Sequence, residues 1–171
     1  MDLALIRRFY AEEIRIVGNL RGREVTDAFA SVPREKFLGP GPWYYASPDI
    51  LSGSINYRIT EDDDPVHLYH NVPIAIDTER DLPNGQPSSI GFFIDRLDLN
   101  AGDSVLHIGC GTGYFSAIIA EVVGAKGRVT AVEIETTWPR RPGRIFHICR
   151  RPASLAAMAR LLIQVGSMPF W

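Results

Sequence analysis

Apolar residues recur at helical spacing near the start of the chain, at Leu3, Ile6, Phe9, Tyr10, Ile14 and Val17, which predicts an amphipathic helix over residues 2–20. Gly18 and Gly22 flank a break, and a second helix is expected from Glu24 to Ser31, ending before Pro33 because the residue ahead of a proline avoids the helical region. From Leu38 to Pro48 the chain is dense in glycine, proline and aromatics and reads as loop. Glu61-Asp62-Asp63-Asp64-Pro65 reads as a solvated acidic turn, with no ligand scaffold around it for a cation. Val72 to Ile76 has the pattern of a short edge strand, since Pro73 has no N–H to donate to a ladder and excludes a central one. After the turn-rich Leu82–Pro87 segment, Ser88 or Ser89 offers an N-cap for a helix through Ile90, Phe93, Ile94 and Leu97.

The pattern then changes. Ser104 to Ile108 is a short apolar strand, Gly109-Cys110-Gly111-Thr112-Gly113 a glycine-rich turn, and Tyr114 to Val123 a helix. Gly124 to Gly127 ends that helix, and Arg128 to Val132 forms a second strand with Glu133 at its carboxyl end. A strand–helix–strand unit of this size belongs to a parallel, doubly wound α/β sheet of Rossmann-like type.

The unit carries candidate chemistry. Glycines at 109, 111 and 113 tolerate positive φ and let a ligand approach the backbone, while the helix start behind them offers N–H groups to a polar ligand. Glu133, 24 residues beyond Gly109, stands where an acid can accept hydrogen bonds from ribose hydroxyls. A nicotinamide or flavin site is the nearest competitor, but its fingerprint wants glycine or alanine where this chain has Tyr114. The G-x-G-x-G spacing therefore favours S-adenosylmethionine.

Composition narrows the class. The chain has 171 residues, 46% hydrophobic and 22% charged with a net charge of −2, the balance of a globular protein and not of a nucleic-acid-coating or disordered one. No run reaches the roughly 18 apolar residues of a membrane span, and the first residues lack a secretion signal, so the expectation is a cytoplasmic protein with no membrane partner. Cys110 and Cys149 form no CxxC and are expected to be reduced thiols, with no metal bound. His67 and His70 read as a half-buried loop, not as ligands. Oligomeric state is not encoded in any pattern visible here.

Three segments in order resemble the protein-L-isoaspartate O-methyltransferases, over roughly residues 24–135. Val25 to Phe37, with Ala28-Phe29 and Val32-Pro33-Arg34-Glu35-Lys36-Phe37, is similar to the family's A-F-x-x-V-P-R-E-x-F segment. Asn84-Gly85-Gln86-Pro87-Ser88 resembles the loop that lies between cofactor and substrate, and Val105 to Tyr114 resembles the cofactor motif, tyrosine included. The resemblance implies a methyltransferase that moves a methyl group from S-adenosylmethionine to a carboxylate of an isoaspartyl peptide, a related peptide or a small molecule. It implies cofactor contacts at Gln86, His107, Gly109, Gly111, Gly113, Tyr114 and Glu133, and no catalytic base. A carboxylate is already a nucleophile and the sulfonium methyl is activated, so alignment does most of the work. Two positions depart from the pattern. His107 stands where the family carries an acid, and Gly85 stands where it carries the serine that touches the acceptor carboxylate, leaving Ser88, three residues on, as the candidate. An S-adenosylmethionine-binding module or a non-functional fragment, without catalysis, is the alternative.

The tail breaks the pattern. Residues 136–171 hold six arginines, no lysine and no acid, which leaves −8 on residues 1–135. Ile145 to Ile148 is the clearest strand there, and Ser154 to Val165 a short helix. The organisation expected is a helical and loop region over 1–100, the start of the cofactor domain over 101–135, and an atypical arginine-rich tail over 136–171. Shifted by one frame, codons 135–140 can read Asp-Asp-Leu-Ala-Ala, codons 156–159 Gly-Asp-Gly, and codons 166–171 Phe-Asp-Ala-Val-Leu. These resemble what the family carries next, so the tail is expected to be the product of a frameshift that truncates the sheet. The strand at 104–108 would then keep one unpaired edge.

Overall fold

The computed structural model describes residues 2–48, 55–133 and 144–149. The chain forms two compact units, Met1–Leu97 and Asp98–Trp171.

In the first unit, α1 (Leu3–Val17) starts at Asp2, whose carboxylate accepts the Ala4 N–H at 2.9 Å. It buries Tyr10, Ala11 and Ile14 against Val25, Ala28 and Phe29 of α2 (Glu24–Ser31). The buried stripe is narrower than the periodicity implies, because Phe9 and Val17 remain exposed. Tyr10 stands edge-on to Phe29 and to Tyr69, with centroids 6.1 and 5.5 Å away. A hairpin follows, β1 (Tyr44–Pro48) pairing antiparallel with β2 (Ile55–Ile59) in the register Tyr44↔Ile59. Tyr44-Tyr45-Ala46 is thus a strand inside the segment expected to be loop. Aromatic strand formers prevail there over the glycines and prolines around them, and the Trp43 N–H is held by Thr60 Oγ1 at 3.0 Å.

The edge strand expected at Val72–Ile76 lies slightly later, as β3 (Ala75–Asp77) paired with β4 (Leu82–Pro83). Pro73 stays outside the strand and gives its carbonyl to the Ala46 N–H at 2.9 Å. His67 meets Asp62 at 2.9 Å, whereas His70 is exposed rather than half-buried. The last helix, α3 (Pro87–Arg96), starts at Gln86 and not at Ser88 or Ser89, because Pro87 takes the first helical position, where its missing N–H is not needed. Gly91 allows α3 to lie close to the pair α1–α2: a Cβ there would come within 3.1 Å of Phe29 and 3.2 Å of Ile14.

The second unit is built on β5 (Ser104–Ile108), α4 (Tyr114–Val123) and β6 (Arg128–Glu133). β5 and β6 run parallel, with Val105 opposite Val129 and His107 opposite Ala131. α4 is buried along most of its length, with Val129 and Ala131 of β6 also in the core. β7 (Arg144–Cys149) is longer than the expected 145–148, and it adds antiparallel to β6, giving the order β5-β6-β7. The sequence predicts one unpaired edge on the strand at 104–108. Among the described residues β5 pairs with β6 alone, and Leu106 and Ile108 are 61% and 74% exposed. The expected helix at 154–165 lies outside the described residues. No described helix is long and apolar enough to cross a membrane.

Candidate functional site

The glycine turn owes its shape to three left-handed residues in alternation: φ is 71° at Gly109, 54° at Gly111 and 88° at Gly113. Side chains at these positions would be strained. The turn is hung on the end of β6, since the Val132 carbonyl accepts the N–H groups of Gly109 at 2.8 Å and Cys110 at 3.2 Å. It closes with Gly113 N–H on the Cys110 carbonyl at 2.9 Å, and Gly113 caps α4 with no side chain over the helix end. The helix therefore presents its positive end at the turn.

Glu133 is bound to that turn directly, as its Oε2 accepts the Gly111 N–H at 2.6 Å. The acid expected to grip a ribose and the glycine expected to admit a ligand are thus one hydrogen-bonded pair. Nothing lies within 4 Å of where a Cβ would stand at Gly109, so there is open space beside the backbone for a ligand. Three left-handed glycines, open space and an anchored carboxylate fit a nucleoside cofactor.

His107 lies on the face of β5 turned to α4, its Nδ1 2.8 Å from Ser116 Oγ. Burial lowers its pKa, opposed by the nearby carboxylate of Glu133. Cys110 is buried, and its thiol pKa is pushed up to about 11, first by burial and then by Glu133. It is a neutral wall, not a nucleophile. Tyr114 is fully buried, tilted on Phe115 with centroids 5.1 Å apart.

The structure thus brings His107, Gly109, Gly111, Gly113, Tyr114 and Glu133 together in the second unit. Gln86 and Ser88 belong to the first. Gln86 is exposed at the start of α3, while Ser88 is only 4% exposed and donates its N–H to Asn71 Oδ1 at 2.9 Å. Ser116 and Arg34 were not singled out from sequence. Ser116 could have been found as the small hydroxyl residue in the first turn of a mostly apolar helix. Fully buried Arg34 gives its guanidinium to the carbonyls of Leu68 at 2.7 Å, His70 at 3.1 Å and Val72 at 2.9 Å, and to Asn84 Oδ1 at 3.4 Å. Among the described residues there is no group of three or more His, Cys, Asp or Glu able to hold a metal.

Residues 58–140 match the family described as Protein-L-isoaspartate(D-aspartate) O-methyltransferase. Over part of its length the chain is similar to the protein-L-isoaspartate O-methyltransferases. One such enzyme, from Methanococcus maripaludis strain C6, is 31% identical over 128 residues, covering 71% of this chain and 49% of its own length. Another, from Aeropyrum pernix, is 32% identical over 123 residues, covering 71% of this chain and 38% of its own. A solved protein-L-isoaspartate O-methyltransferase superposes with a TM-score of 0.55 at 27% identity, over 77% of this chain and 35% of that one, and supports the Rossmann-like methyltransferase fold. The chain spans at most about half the length of these relatives.

Proposed function

We propose that the second unit binds S-adenosylmethionine between the Gly109–Gly113 turn and Glu133, and that the protein is a carboxyl O-methyltransferase. The observation that carries this reading is the 2.6 Å hydrogen bond from the Gly111 N–H to Glu133. It puts the ribose acceptor and the backbone opening in one rigid arrangement. The bound cofactor supplies the activated methyl group. The chain's contribution is to orient it: Gly109 leaves the backbone accessible, Glu133 holds the ribose hydroxyls, and Tyr114 and buried Cys110 keep water from behind the turn. The acceptor is a carboxylate, with an isoaspartyl peptide as the first candidate. Gln86 and Ser88 are assigned to the cofactor and acceptor side of the reaction, respectively. Ser88 reaches an acceptor only if the start of α3 opens, because it is buried as it stands.

Calorimetric titration of the whole chain with S-adenosylmethionine tests the binding step. Saturable binding that is lost in Glu133→Ala and in Gly111→Val supports it, and binding unchanged by both overturns it. Methyl transfer is read separately, with a tritiated donor and an isoaspartyl peptide. A second reading, cofactor binding without transfer, is favoured by one observation: Ser88, the candidate acceptor residue, is 4% exposed. Transfer is accordingly expected to be weak or absent in this chain.

A further inference from the structure

Asn84-Gly85 is the one Asn-Gly pair in the chain. It follows β4, and the fold grips the asparagine firmly. The Asn84 N–H donates to the Ile74 carbonyl at 2.8 Å, while the Asn84 Oδ1 accepts the Ile74 N–H at 3.1 Å and the Arg34 guanidinium at 3.4 Å. Both groups on Oδ1 can only donate, so the orientation of the side-chain amide is fixed. Its Nδ2 is then buried with no hydrogen-bond partner among the described residues. Gly85 turns the chain with φ 85°, and its N–H also lacks a partner among the described residues. Asn84 and Gly85 are both half-buried, so the pair is not sealed from solvent.

A backbone nitrogen that follows asparagine can attack the side-chain carbonyl carbon, and glycine, having no Cβ, hinders that approach least. We propose that Asn84 is a site of self-modification, closing a succinimide with Gly85, and that the fold promotes this step instead of shielding the pair from it. The Gly85 N–H gives its proton to solvent and the nitrogen bonds to Asn84 Cγ. The carbonyl electrons move to Oδ1, where Arg34 and the Ile74 N–H already donate and stabilise the charge that develops. They return as the bond to Nδ2 breaks, and the amino group takes a proton from solvent and leaves as ammonia. Water then opens the ring at either carbonyl and leaves aspartate or isoaspartate. Loss of ammonia also removes a buried donor that has no acceptor where it stands. Either product places a carboxylate just ahead of α3, within residues 82–88, which carry no charge in the unmodified chain.

The test incubates the whole chain at pH 8, folded and in guanidinium chloride, and follows each asparagine by peptide mass mapping. Exchange of the amide for a carboxylate adds one mass unit at Asn84. Asn19, Asn56, Asn71 and Asn100 each precede a residue with a Cβ and serve as internal standards. Asn84 should convert faster in the folded chain than in the denatured one, by about tenfold, a modest share of what preorganised donors on a developing oxyanion supply. Arg34→Lys takes the guanidinium from Oδ1, so it should shrink that ratio while leaving the denatured rate unchanged. A folded rate no higher than the denatured rate overturns the inference, and this comparison stands if Arg34→Lys fails to fold. An Arg34→Lys chain that is folded by circular dichroism and keeps the wild-type ratio overturns it too.

Discussion

Replacing Arg34 by alanine should unfold the first unit under mild conditions. Its guanidinium is fully buried and serves the carbonyls of Leu68, His70 and Val72 and the side chain of Asn84. Charge-assisted hydrogen bonds contribute about 1.5–3 kcal/mol each, and the two shortest here, at 2.7 and 2.9 Å, set the scale. Not all of that is lost, because water can enter the space left behind, yet stranded buried carbonyls keep the cost at about 3–5 kcal/mol. A domain of this size has only about 5–15 kcal/mol in total. Asn84 Oδ1 also accepts the Ile74 N–H at 3.1 Å, so the Asn84-Gly85-Gln86 loop should loosen first. Urea unfolding followed by circular dichroism gives the global loss, and hydrogen exchange of residues 68–86 the local one. Arg34→Lys should retain part of the stability, since an ammonium can reach at most some of the four acceptors. A loss below about 1 kcal/mol for Arg34→Ala would refute the idea that these carbonyls depend on it.

Other outcomes can be checked more briefly. Gly113→Ala forces a side chain into φ 88° at the head of α4 and should lower stability by about 1–2 kcal/mol, read as a fall in melting temperature. Asp95 is buried, which alone would raise its pKa, but the N–H groups of Arg21 and Gly22 and the Arg21 guanidinium hold it below the usual carboxylate range. Its stabilisation is complete above about pH 4 and is lost as pH falls further through the depressed value. Asp95→Asn should flatten that part of the acid unfolding curve, and a curve of unchanged shape contradicts the assignment. Cys110 should resist iodoacetamide at pH 8 in the folded chain and react once urea is added, as peptide mass mapping can show.

The parts of the molecule that were legible in the sequence are those whose pattern is local. The stripe of α1, the strand before the glycine turn, the run of α4 and the acid at the end of β6 all announce themselves within one element, and the last three lie together in the second unit. What was hidden depends on distant partners. Tyr44–Pro48 becomes a strand only because Ile55–Ile59 lies beside it. Arg34 stands in the sequence only as one residue of the Val32–Phe37 segment, and its role shows once its acceptors, 34 to 50 residues away, surround it. The hydroxyl of Ser116 gains meaning only from the ring of His107 on the neighbouring strand. The placement of β7 could not be read at all, since a short apolar run says nothing about which neighbour it joins or in which direction.

That β5 is paired on one side alone among the described residues has a consequence for handling the protein. A row of peptide groups flanked by exposed Leu106 and Ile108 is a template that any extended chain can extend, another molecule of the same protein included. Encounters between such templates scale with the square of concentration, while folding and ligand binding by one molecule do not. Dilution, more than temperature, should decide how long a preparation stays clear. Titrations run at micromolar protein should report on single molecules where a concentrated stock reports on assemblies.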